Sequence, residues 1–220
     1  RSSVWGNGVV RQVLPGAVAE RADEALQALF RHLERALLPW YRYALYTALE
    51  ADDAEAGRRA RAWLDLLAAR KALFCWKPLA AHPRHPVRAQ PDALLALALD
   101  TLRGAAEPSA SLAELNYALA YCDVAGEQPA SPHYAAWCVY ESAVRALESG
   151  CVSAGLIQRG ASPLDDAAGY AAIAIADHAH RAAAPSDEAA EEARLRRAVF
   201  WEWWLREALP HAVSQSKRSR

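Results

Sequence analysis

The sequence is poor in most of what would mark a chemistry. It has no methionine, 10 glycines and four cysteines in 220 residues, and a formal net charge of −1. No Gly-rich phosphate loop and no GxSxG nucleophile turn occurs. Cys75, Cys122, Cys138 and Cys151 stand singly, without a CxxC pair. A chain this long needs no disulfide framework, so reduced thiols in a cytoplasmic protein are expected. The near-neutral charge leaves no basic face for phosphate neutralisation, which argues against a nucleic-acid binder. The ending SQSKRSR (214–220) is basic but short, and a flexible, solvated tail is expected there. No apolar run approaches the roughly 18–20 residues that span a bilayer. The first residues lack the basic segment, apolar run and cleavage site of a signal peptide. Threonine and isoleucine, two residue types that favour strands, are almost absent.

What is present is alanine, leucine and arginine, a helical composition in a chain that is 53% hydrophobic yet only slightly polar on average. Residues 1–16 carry an Asn-Gly turn signal but no second strand signal to pair with, and read as an irregular arm pinned by Trp5. From Ala17 onwards, Val18, Ala22, Leu26, Leu29, Leu33 and Leu37 step at three and four residues, predicting an amphipathic helix that Pro39 kinks or ends. An aromatic helix follows. The acidic stretch 51–55 opens the next, with a buried stripe from Ala56 and Ala60 through Trp63, Leu64 and Leu67 to Phe74 and Cys75. Pro78, Pro83, Pro86 and Pro91 make a loop of 77–91. Helices are then predicted from Pro91 to Gly104, from a Ser109 or Ser111 cap to Gly126, from 131 to Gly150, from 165 to about Ala183, and from 185 to about Ala212. The expectation is all-α: a single globular bundle of about eight helices over 17–213, with no significant sheet.

Candidate chemistry is thin. His82 and His85 have a spacing that can share a zinc, but a catalytic site needs a third ligand, and flanking prolines suit a rigid turn. His178 and His180 point about 200° apart on a helix, so they cannot chelate one ion together. Asp52, Asp53 and Glu55, with Asp165–Asp166 as a second motif, are similar to the metal-binding aspartates of prenyl-diphosphate enzymes. Both acidic groups also sit where a helix N-terminus favours negative charge. No catalytic set, metal site or cofactor site is assigned. Tryptophans at helical spacing are read first as core, each worth several kcal/mol at about 25 cal/mol/Å² over roughly 200 Å².

The run FWEWWLREALP (200–210) is the most distinctive stretch. Phe200, Trp201, Trp203 and Trp204 cover well over half of a helix circumference, leaving Glu202 and Arg206 on the remaining wedge. Such a helix is most simply central, packed on several sides. The acidic pair Asp165–Asp166 before a small-residue helix, followed by Phe200, Trp201, Glu202, Trp203, Trp204 and Pro210, resembles the immunity protein five family. Those are antitoxins encoded beside bacterial polymorphic toxins. The resemblance rests on the last quarter of the chain. It implies an all-helical, non-enzymatic protein that binds a cognate toxin protein stoichiometrically in the cytoplasm, with these residues as structural signature. An acidic patch of Glu50, Asp52, Asp53 and Glu55 is then the candidate toxin-binding surface. Two other functions fit the residues: a helical small-molecule-binding or regulatory domain lined by the aromatics, and a metal-dependent enzyme using the acidic pairs.

Overall fold

The computed structural model describes residues 14–76, 89–125, 133–158, 166–178 and 186–218. In chain order they form α1 (Gly16–Arg31), α2 (Pro39–Glu50), and α3 (Ala54–Ala72) with a 3-10 turn (Leu73–Cys75). Next come α4 (Pro91–Leu102), α5 (Pro108–Ala125), α6 (Tyr134–Ser153) and α7 (Ala167–Asp177). Finally α8 (Asp187–Trp203) runs through a π turn (Trp204–Ala208) into α9 (Leu209–Arg218) as one continuous rod. Counting that rod once, the described residues make eight helices and no strand, the all-α bundle that the composition predicts.

Local chemistry sets most of the helix starts. Asp53, Asp166 and Ser186 are N-caps whose side chains accept the N–H groups of Ala56, Gly169 and Ala189. Pro39 and Pro91 occupy first-turn positions, where the missing N–H has no helical partner to lose. Neither serine expected to cap α5 does so. The helix already begins at Pro108, and Ser111 is buried inside it, 2.9 Å from the Thr101 hydroxyl.

Helix α1 is shorter than its apolar stripe. It stops at Arg31, and Leu33 is 81% exposed. Leu38 is extended (φ −64°, ψ 148°), as a residue before proline prefers, and Arg35 adopts a left-handed φ of 50°. The chain therefore turns between Arg31 and Pro39 instead of continuing one helix through it. Phe74, expected in the buried stripe of α3, is 65% exposed because the 3-10 turn rotates it off that face.

The helix enclosed on most sides is α6, not the aromatic rod. Fifteen of its residues are buried, from Ala135 to Cys151, and it packs against α3, α4 and α7. Gly150 permits the close approach to α4, since a Cβ there would lie 3.3 Å from the Ala98 carbonyl oxygen. The rod of α8 and α9 is peripheral at its start, where Leu195 and Val199 are exposed, and buried at Phe200, Trp201, Trp204, Leu205, Ala208 and Leu209. Trp203 remains only partly buried. Side-chain size alone could not say which aromatic finds a neighbour.

Pro210 accounts for the π turn. It has no N–H to give Arg206, and its ring crowds that carbonyl. The preceding turn widens, and the Leu209 N–H reaches back five residues to the Trp204 carbonyl. The rod then continues through Arg218, past the point where a flexible tail was expected. Ser216 is buried, its hydroxyl donating 2.9 Å to the Val213 carbonyl. The Trp5 arm and the loop at 77–88 lie outside the described residues.

Candidate functional site

The α2–α3 corner carries the four carboxylates of the expected acidic patch. Gly57 makes that corner tight. A Cβ on it would lie 2.6 Å from the Glu50 Cα, so only glycine lets the first turn of α3 press on the end of α2. Glu50 ends α2 and is half-buried, whereas Asp52 is exposed. Neither makes a side-chain hydrogen bond or an ion pair among the described residues. The other two are engaged locally. Asp53 Oδ1 accepts the Ala56 N–H at 2.9 Å, and Glu55 Oε1 lies 2.8 Å from Arg59 Nη2. Asp52 and Asp53 also line a cleft of about 400 Å³ whose walls are Leu49, Ala60 and Val213, with Lys217 on the α9 side.

A second constellation lies inside the bundle and gathers the aromatic rod around residues from the first half of the chain. Asp166 caps α7 through Oδ1, 2.7 Å from the Gly169 N–H. Its Oδ2 accepts from Arg42 Nε at 2.7 Å and from the Tyr46 hydroxyl at 3.0 Å. Arg42, 4% exposed, also donates to the Leu37 carbonyl at 2.7 Å and lies 5.3 Å over the Trp201 ring. Trp204, fully buried, meets Tyr46 edge-on at 6.3 Å. Burial, then the nearby Asp166 carboxylate, raises the Tyr46 phenol well above its usual range. One guanidinium and one phenol thus hold the N-terminus of α7 against the aromatic rod.

Arg61 lies 4.4 Å over the other face of this group, on the Tyr46 ring, and 3.9 Å from Asp65 Oδ2. Asp65 is 1% exposed and accepts the Ser149 hydroxyl at 2.5 Å. Burial pushes its carboxyl up to about 7. Arg42, Tyr46, Asp65 and Ser149 were not among the residues singled out from sequence. Two signals point to them: Arg42 shares a helical face with Leu45 and Tyr46, and Asp65 interrupts the apolar run Trp63–Leu67.

Phe200 is buried with Trp201, 5.0 Å from its ring, whereas other signature residues are nearer the surface. Glu202 and Arg206 form an i, i+4 pair at 3.0 Å, and Trp203 carries Lys71 4.7 Å over its ring. Asp165 lies outside the described residues, as do His82, His85 and His180. Among the described residues no group of three or more His, Cys, Asp or Glu is disposed to hold a metal ion. His178 packs edge-on against Phe74 at 5.6 Å. All four cysteines are free and buried, and burial pushes Cys75 up to about 12 and Cys151 to about 11, so both stay protonated. No described helix is long and apolar enough to cross a membrane.

No curated protein sequence matches the chain significantly. The sequence profile of a family described as "Immunity protein Imm5" matches residues 29–211. The match is far wider than the C-terminal quarter that carries the visible motif. The structure supplies a reason: the partners of the motif, Arg42 and Tyr46, sit in α2, spread among unremarkable helical residues. With the matched region running from the end of α1 into α9, the chain belongs to the Imm5 immunity protein family.

Proposed function

We propose that this protein binds a cognate toxin protein and neutralises it by forming a stoichiometric complex, without catalysis, in the cytoplasm of a bacterium that carries a polymorphic toxin system. The family match over residues 29–211 is the observation that carries this reading. The contact surface we assign is the acidic corner of Glu50, Asp52, Asp53 and Glu55, where the end of α2 meets the start of α3. Two of these carboxylates make no hydrogen bond or ion pair among the described residues, so a partner's basic groups meet them without first breaking an internal pair. With a net charge of only −1, the molecule has no global acidic field, and complementarity must be local. Binding there covers the toxin's active site or substrate groove by shape and charge.

The test is the double substitution Glu50→Lys with Asp52→Lys, which spares the Asp53 cap and the Glu55–Arg59 pair. The toxin to be tested is the product of the adjacent gene. Like-charge contacts at an interface cost several kcal/mol, so we expect affinity to fall about 100-fold or more and growth protection to fail, while the variant stays folded with a slightly lower melting temperature, because Glu50 also favours the charge on Arg61. Intact neutralisation by the double variant would remove the acidic corner from the interface. Absence of any complex between the wild-type protein and that toxin would overturn the pairing itself.

A further inference from the structure

Asp65 occupies an unusual position for a carboxyl group. It sits in the middle of α3, facing α6, and is nearly inaccessible to water. Oδ2 accepts one hydrogen bond, from the Ser149 hydroxyl at 2.5 Å, while Oδ1 is buried with no hydrogen-bond partner. The Arg61 Nε is 3.9 Å from Oδ2, beyond hydrogen-bonding distance, and its guanidinium carbon lies over the Tyr46 ring. The charged and titratable groups that face Asp65 are few. Arg61 comes from its own helix, Arg42 and Tyr46 from α2, and Asp166 from the start of α7; α6 contributes the uncharged Ser149. Arg42 already holds Asp166 at 2.7 Å, so the nearest second guanidinium is committed to the other carboxylate.

A bare carboxylate oxygen in such a place costs far more than a bare carboxylic acid, because the charge has lost its water and gained little in return. A neutral carboxyl accepts from Ser149 on one oxygen and carries its proton on the other, the oxygen that otherwise has nothing. We propose that Asp65 is a built-in proton-uptake site, which takes up one proton as α3 docks against α6, so that mild acid tightens this seam and mild alkali loosens it. The position of its ionisation, about 7 in the folded protein, agrees with that geometry.

The sign follows from linkage. An aspartate in the unfolded chain ionises near 3.9, so between about pH 4 and pH 7 the folded state holds a proton that the unfolded state has lost. Stability from this group is complete below about pH 4, falls as pH rises, and is gone above about pH 7. The experiment is urea unfolding of the wild type and of Asp65→Asn at a series of pH values. The ratio of their unfolding constants, wild type over variant, is expected to climb about tenfold per pH unit from about 5 to 6.5 and to level off above about 7.5. A flat ratio would overturn the proposal. Carbon-13 NMR of the aspartate carboxyls in the folded wild type reads the same site without a substitution at Asp65. Its midpoint is expected between about 6 and 8, and a midpoint near 4 would overturn it. Ser149→Ala removes the one hydroxyl that favours the ionised form, so it should move that midpoint upward, which a purely structural Asp65 would not show. Asp65 lies inside the bundle, so these outcomes do not depend on whether the acidic corner binds toxin.

Discussion

Asp166 and Asp65 are both buried acids in one polar cluster, joined through Tyr46 and Arg61, yet their surroundings are opposite. Asp166 accepts from a guanidinium, a phenol and a backbone N–H, so nearly every lone pair is occupied. Asp65 accepts from one hydroxyl and leaves an oxygen bare. The difference shows what a buried carboxyl group needs in order to be fully paired inside a bundle. Proximity to arginine is not enough; the donors must reach the oxygens at hydrogen-bonding distance. A helix N-terminus adds to this at Asp166, where the cap contributes both a donor and a favourable dipole, while Asp65 is mid-helix and gains neither.

The largest expected effect comes from removing the well-dressed acid. Asp166→Ala would leave the buried Arg42 guanidinium without its carboxylate and α7 without its cap. Breaking a buried pair in this way costs about 3–5 kcal/mol, to be read as a lower urea midpoint. If the loss were under about 1 kcal/mol, Asp166 and Asp65 would not differ in the way described. The next effect concerns the bare acid. A carboxyl held near 7 rather than 3.9 gives up about 4 kcal/mol of stability between about pH 4 and pH 7, and the wild-type pH profile relative to Asp65→Asn should contain that loss. The smallest belongs to the other capping aspartate. Asp53→Ala breaks one half-exposed cap bond to Ala56 and should cost about 1 kcal/mol, several times less than Asp166→Ala although both residues cap a helix in the same way. Equal losses at the two caps would mean that Arg42 and Tyr46 contribute nothing at Asp166.

Much of this architecture is legible along the chain. Pro39 and Pro91 open helices because proline suits the first turn, and the left-handed Gly104 (φ 68°) follows the end of α4. Asp53 and Asp166 cap as short acidic residues before apolar runs are expected to. Other features are not legible. The stripe through Leu33 and Leu37 reads as one helix, but Leu33 ends exposed and Leu37 buried, because the chain must turn back before Pro39. The aromatics of 200–204 read as equivalent, yet Trp204 is enclosed while Trp203 is only partly covered, by Phe200 and Lys71. Which ring is covered depends on what α2, α3 and α7 place beside it. The candidate surface shows the same division. The sequence puts Glu50, Asp52, Asp53 and Glu55 within six positions, but whether each is spent on a cap or an ion pair, or remains open, depends on how α2 meets α3 at Gly57.

The all-helical class, most helix boundaries and the family motif can be read along the chain, since periodicity, caps and prolines act over a few neighbouring residues. Which helix is central, why the motif needs Arg42 and Tyr46, and which of two buried acids is paired are settled by packing. Those depend on contacts such as Arg42 to Asp166, 124 positions apart in the chain. Helical periodicity says which side of a helix is buried, and carries no information about which distant side chain will be waiting there.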